Sequence, residues 1–122
     1  YDCLSGQELQ DLKVALPPSR PAVFCRLPYR VSGLEVTARR TDDGIALQAA
    51  VQPEPGAALR HVLRFAVSRP GGPVLRHYSK VLEAPAGRAE HVFHPALNER
   101  GNWNIAVVDV LSGVRQDVTV EW

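Results

Sequence analysis

Two of the four histidines stand three apart, in His91-Val92-Phe93-His94, the spacing here nearest to a metal-ligand pair. On a helix, imidazoles one turn apart can share an ion; on a strand, residues three apart point to opposite faces. This stretch alternates as a strand, so no metal site is expected in it. His61 and His77 are isolated in sequence and are expected at the surface or at a strand edge. Ser5 and Ser112 each precede a glycine, but neither lies in the Gly-x-Ser-x-Gly elbow that exposes a nucleophile, and turns account for both. Asp42, Asp43 and Glu90 are the carboxylates that glycoside hydrolysis would call on, yet that chemistry needs two of them converging across a cleft. Asp42-Asp43-Gly44 reads instead as a turn, because Asp bonds its own backbone and Gly accepts positive φ. No catalytic, cofactor-binding or metal-ligating set is expected.

Binding through aromatic rings is the stronger alternative, since sugar faces stack on ring faces. The candidate rings are Tyr29, Tyr78, Trp103 and Trp122. Trp103 is in phase with Ile105 and Val107, and Trp122 with Val118 and Val120, which assigns the first to a core and the second to its cap. Tyr78 and Trp122 remain the candidate positions for stacking on a polysaccharide. The two cysteines, Cys3 and Cys25, both sit in apolar strand patterns. A bridge between them would close a loop of about twenty residues and stabilise by about 3 kcal/mol in the chain-entropy model. Two buried free thiols are the other reading.

The elements that must carry these residues are announced by a phrase written twice. Asp2-Cys3-Leu4-Ser5-Gly6 recurs as Asp109-Val110-Leu111-Ser112-Gly113, with alternating apolar residues downstream of each: Leu12, Val14 and Leu16; Val118, Val120 and Trp122. The Ser-Gly pair supplies a turn and the period-two pattern supplies antiparallel strands, so each copy predicts a hairpin. Ser5-x-x-Glu8 has capping-box spacing, but Leu12, Val14 and Leu16 fall out of helical phase. The chain therefore opens on the closing hairpin of one β-unit and contains a second, complete one.

The rest alternates as strands between Gly/Pro turns. Strands are predicted over 34–39, 45–52, 61–68, 74–82, 88–94, 103–107 and 114–122, with breaks at Thr41-Asp42-Asp43-Gly44, Pro53 to Gly56, Pro70-Gly71-Gly72-Pro73, Pro85 to Gly87 and Asn98 to Gly101. Seven short, evenly spaced strands without helical periodicity predict an all-β, antiparallel sandwich of immunoglobulin or fibronectin type III character. The expected core is Val36, Leu47, Ala49, Leu63, Phe65, Val67, Trp103, Ile105, Val107, Val118 and Val120. Residues 1–27, a hairpin plus the strand Ala22 to Cys25, are expected to be the closing strands of a preceding β-domain. Residues 28–33 are a linker, and 34–122 the sandwich.

A chain of 122 residues with 45% apolar content is enough for one ordinary domain. Its formal net charge of +1, with both signs interspersed, suggests neither nucleic acid nor an anionic membrane surface as a partner. No apolar run approaches the roughly 20 residues that cross a bilayer. There is no Met, so Tyr1 is not expected to be a translational start, and any export signal would lie upstream.

Leu16-Pro17-Pro18, followed by Ala22 to Tyr29, resembles the end of the C-terminal β-domain of large, exported bacterial glycoside hydrolases of the β-galactosidase-like kind. Ala96-Leu97-Asn98, Gly101-Asn102-Trp103 and Val108 to Gly113 are similar to the Ig-like module that follows it in such proteins. The resemblance implies an extracellular or periplasmic, carbohydrate-active parent whose catalytic barrel lies elsewhere, since none of that family's catalytic residues has a matching position here. The module would be non-catalytic, packing against neighbouring domains or pairing with a second copy through its N-terminal strands. A carbohydrate-binding role remains an alternative. The Gly-x-Trp strand is also similar to macroglobulin-type and surface-adhesion sandwiches, a further alternative.

Overall fold

A computed structural model describes residues 1–11, 18–19, 21–96 and 98–122. The expected strand positions Leu12, Val14 and Leu16 lie outside the described residues, as does Leu97. Seven strands follow in order: β1 Arg30–Arg40, β2 Ile45–Glu54, β3 His61–Ser68, β4 Lys80–Ala84, β5 Arg88–Phe93, β6 Asn102–Asp109 and β7 Arg115–Glu121. They form a β-sandwich of two antiparallel sheets, three-stranded in the order β1-β2-β5 and four-stranded in the order β4-β3-β6-β7.

Period-two alternation builds both inner faces. Ile45, Leu47, Ala49 and Val51 of β2 are buried against His61, Leu63, Phe65 and Val67 of β3, with Trp103, Ile105 and Val107 of β6 beside them. Of the expected core, Val36, Val118 and Val120 are only half-buried, because β1 and β7 are edge strands that flank one another. Phe93, Tyr29, Val31 and Trp122 join the core beyond the expected set.

Three boundaries differ from expectation. β1 begins at Arg30, inside the stretch expected as linker, and takes up a register irregularity between Val31 and Gly33 that lets Val31 reach the core. β2 runs through Pro53 rather than stopping before it. Its pairing with β5 ends at Ala50, so β2 is a free edge there and a missing N–H is tolerated. The strand expected from Val74 is interrupted: Val74 makes a single bridge to Ser68, the chain turns through Leu75 to Ser79, and β4 starts at Lys80. Ser79 explains the break. Its hydroxyl accepts the Val67 N–H at 2.9 Å and donates to the Leu75 carbonyl at 2.9 Å, replacing a strand-to-strand bond.

Candidate functional site

One pole of the sandwich collects the start of β1, the end of β2, the start of β3 and the β6–β7 turn, and here the two copies of Asp-x-Leu-Ser-Gly meet. Each copy folds as the same closed turn. Gly6 N–H donates to the Asp2 carbonyl at 2.8 Å and Asp2 N–H to the Gln7 carbonyl at 2.9 Å; Gly113 N–H donates to the Asp109 carbonyl at 2.8 Å and Asp109 N–H to the Val114 carbonyl at 2.9 Å. The Asp side chain closes each turn from inside. Asp2 accepts the Leu4 N–H at 2.9 Å and the Ser5 hydroxyl at 2.7 Å. Asp109 accepts the Ser112 N–H at 3.1 Å together with the Ser112 hydroxyl. Both glycines hold positive φ, +70° and +74°, and their backbones touch: a Cβ on Gly113 would lie 2.3 Å from the Gly6 Cα. The sequence repeat is thus a structural contact, one turn seated on the other.

The N-terminal segment is held on this pole by further bonds. Tyr1 and Cys25 exchange two backbone bonds, Cys3 N–H donates to the Val23 carbonyl at 2.8 Å, and Asp2 bridges Phe24 antiparallel. Among the described residues, the first turn and the stretch Ala22 to Cys25 are joined by short bridged pairs. The Tyr1 hydroxyl accepts the Val31 N–H at 2.8 Å, and Glu8 pairs with Arg30 at 3.1 Å. Cys3 lies opposite Val23 and Cys25 opposite Tyr1, so the two cysteines are diagonal neighbours; diagonal positions lie about 7–8 Å apart, outside the usual bridging distance. Both thiols are free. Burial, and then the neighbouring Cys25, push the Cys3 thiol above its ordinary pKa.

Beneath the turns runs a buried polar chain. The Tyr29 hydroxyl accepts the Leu59 N–H at 2.7 Å and lies 2.8 Å from His61 Nε2; His61 Nδ1 lies 3.0 Å from Asp109 Oδ1, and Asp109 holds Ser112. His61 and Asp109 are 0% exposed and Ser112 2%. His61 is therefore a core residue, contrary to the surface or edge position expected of it. The signal was available, since it is in phase with Leu63, Phe65 and Val67. The donors and acceptors close without remainder if Tyr29 gives its proton to Nε2 and Nδ1–H gives to Asp109, the assignment that the network implies for a neutral imidazole. Ser, His and Asp here do not form a nucleophilic triad: Asp109 stands between His61 and Ser112, so the imidazole does not touch the serine hydroxyl.

The remaining candidates separate across the molecule. His91 Nε2 lies 2.8 Å from the Tyr78 carbonyl with its ring against Phe65, whereas His94 Nδ1 lies 2.8 Å from the Asp43 carbonyl at the β1–β2 turn. Among the described residues, no group of three or more His, Cys, Asp or Glu could hold a metal ion. Glu90 accepts from Gln48 at 3.0 Å on the outer face of the three-stranded sheet, while Asp42 and Asp43 are exposed in their turn. Trp103 is fully buried, with the Arg69 guanidinium 4.0 Å above its ring. Tyr78 packs edge-on against Trp103 at 5.3 Å and donates its hydroxyl to Glu99. Trp122 is 9% exposed under Arg40. Tyr29 is spent on the buried chain. No two of these four rings stand side by side as an open platform.

No known family model matches this chain, and neither does any curated protein or solved structure. The polar side chains with the best-defined surroundings, Asp2, Asp109, Ser112, His61 and Tyr29, all serve to build the pole on which the N-terminal segment sits. Sequence reasoning found the repeated phrase but missed that its two copies touch.

Proposed function

We propose that this is a non-catalytic, fibronectin type III-like module whose work is structural: it seats the closing strands of a neighbouring β-unit on one pole and so fixes the two units relative to each other. The turn-on-turn contact of Gly6 with Gly113 carries this reading, because beyond the positive φ that each turn requires, a Cβ at either position would meet the other backbone. The strand order, three strands on four with β4 at the open edge, supports the fibronectin type III-like assignment. Leu4, Val23 and Phe24 are exposed on the N-terminal segment, which supports a covering neighbour or a second copy there. The resemblance noted above supports an exported bacterial glycoside hydrolase as the parent protein.

Hydrogen exchange of the whole chain tests the joint. The Gly6 amide is expected to be protected together with the Asp109 and Gly113 amides, and to lose protection in Gly113→Val while β2, β3 and β6 keep theirs. Unprotected Gly6 in the unmodified chain would end the reading. A chromogenic glycoside should not be turned over, and a panel of polysaccharides should leave the Trp103 and Trp122 fluorescence unchanged; a response abolished by mutation of Tyr78 or Trp122 would favour sugar binding instead.

A further inference from the structure

The outer face of the four-stranded sheet sets a basic side chain, Arg64, among apolar ones. In register across the strands, Val81 of β4 opposes Arg64 of β3, which opposes Val108 of β6, and Ala66 opposes Ala106. Val74, bridged to Ser68, extends the same surface, and both Val74 and Val81 are more than half exposed. Two shallow depressions of about 170 and 480 Å³ share Arg64, Ala66 and Val74, and a third of about 200 Å³ runs from Arg64 and Val108 to the Leu4 turn. Arg64 lines all three.

Around the trough at the β4 edge the charges are unbalanced in one direction. Glu83 and Asp117, on the same face, already pair with Arg60 at 2.8 Å and with Arg115 at 2.6 Å. Arg64, Arg76 and Lys80, around the trough at the β4 edge, have no ion-pair partner among the described residues. β4 is also an outermost strand, paired with β3 on one side only, so among the described residues its other row of backbone groups has no strand partner.

We infer that this trough and the β4 edge receive an extended, acidic segment of a different polypeptide, its apolar residues on Val74 and Val81 and its carboxylates on Arg64, Arg76 and Lys80. An unpaired strand edge supplies backbone bonds and the flanking side chains supply selectivity. A second copy is disfavoured, because a two-fold axis through the trough would set Arg64 against its own counterpart. This goes beyond the joint at the pole and does not depend on it: the joint would hold with this face bare.

The probe is a capped peptide with a Val-Thr-Val-Thr centre and paired glutamates at each end, titrated into the ¹⁵N-labelled chain. Amides of Arg64, Val74 and Val81 should shift, and the lysine-ended version should leave them in place. Arg64→Glu, an exposed substitution checked by an otherwise unchanged spectrum, should weaken binding by about tenfold or more. Val81→Glu should weaken it independently. Shifts that are absent, located elsewhere, or equal for the lysine-ended peptide overturn the proposal. So does equal occupancy of the face by dextran sulfate, which would mean charge alone, or concentration-dependent shifts of the same amides without peptide, which would mean self-association.

Discussion

Gly6 and Gly113 stand back to back at the pole of the sandwich, so close that a Cβ on either would press into the other's backbone, at 2.9 Å from Gly6 or 2.3 Å from Gly113. Each glycine closes its own copy of the Asp-x-Leu-Ser-Gly turn at positive φ, so each is held there by two separate demands, one local and one between turns.

Those demands can be separated by comparison with Gly71, which has φ +69° and open space around it. Gly71→Ala should cost about 1 kcal/mol, the ordinary penalty of a Cβ in the left-handed region. Gly113→Ala should cost distinctly more, about 2–3 kcal/mol, because its Cβ also meets the Gly6 backbone. Urea unfolding of the two variants makes the comparison, and equal losses would remove the contact between the turns as a source of stability.

The buried chain should behave as one unit. Asp109→Ala leaves His61 and the Ser112 turn without their acceptor and should cost about 3 kcal/mol or more, and Ser112→Ala and Tyr29→Phe about 1–2 kcal/mol each. A double-mutant cycle of Tyr29→Phe with Ser112→Ala should show coupling through His61 and Asp109, whereas strict additivity would break the chain into independent bonds.

Glu99 makes a pH-dependent contact at the opposite pole. The Tyr78 hydroxyl, and then the Ala96 N–H at 2.9 Å, hold its carboxyl below the ordinary value of 4.5. A depressed folded pKa contributes stability that is present above the unfolded value and is lost as pH falls through the folded one, so the loss belongs below pH 4.5. In Tyr78→Phe, a carboxyl titration followed by NMR should move Glu99 up towards 4.5. An unchanged midpoint would show that Tyr78 is not the cause.

Cys3 and Cys25, diagonal in a two-stranded pair, should both be alkylated by iodoacetamide without prior reduction. Cys3 should react more slowly at neutral pH than an unperturbed thiol, since burial raises its pKa and only the thiolate attacks. A mass two hydrogens lighter after purification under air, with no alkylation, would mean that the segment rearranges enough to bridge them.

Much of this protein was legible residue by residue. Alternation of apolar and polar side chains places β2, β3, β5, β6 and β7 nearly where they lie, and the phase of Trp103, Ile105 and Val107 assigns them to the core, because the face a strand residue occupies is a local property of a period-two backbone. The same rule assigned Trp122 to the cap. It failed at the start of β1 and in the Val74 to Ser79 stretch, where a register irregularity and the Ser79 hydroxyl decide the pairing, and neither leaves a mark in hydrophobic periodicity.

The pole could not be read this way. That Asp2 to Gly6 and Asp109 to Gly113 form the same turn is written locally, because the Asp carboxylate, the Ser hydroxyl and the Gly φ act within five residues. It took the folded chain to set the two turns face to face, to turn His61 from a strand-edge residue into the buried link between Tyr29 and Asp109, and to leave Arg64, Arg76 and Lys80 without ion-pair partners among the described residues. Contacts between residues so distant in the chain depend on how the sheets stack, and stacking is settled by the whole core at once rather than by any local pattern.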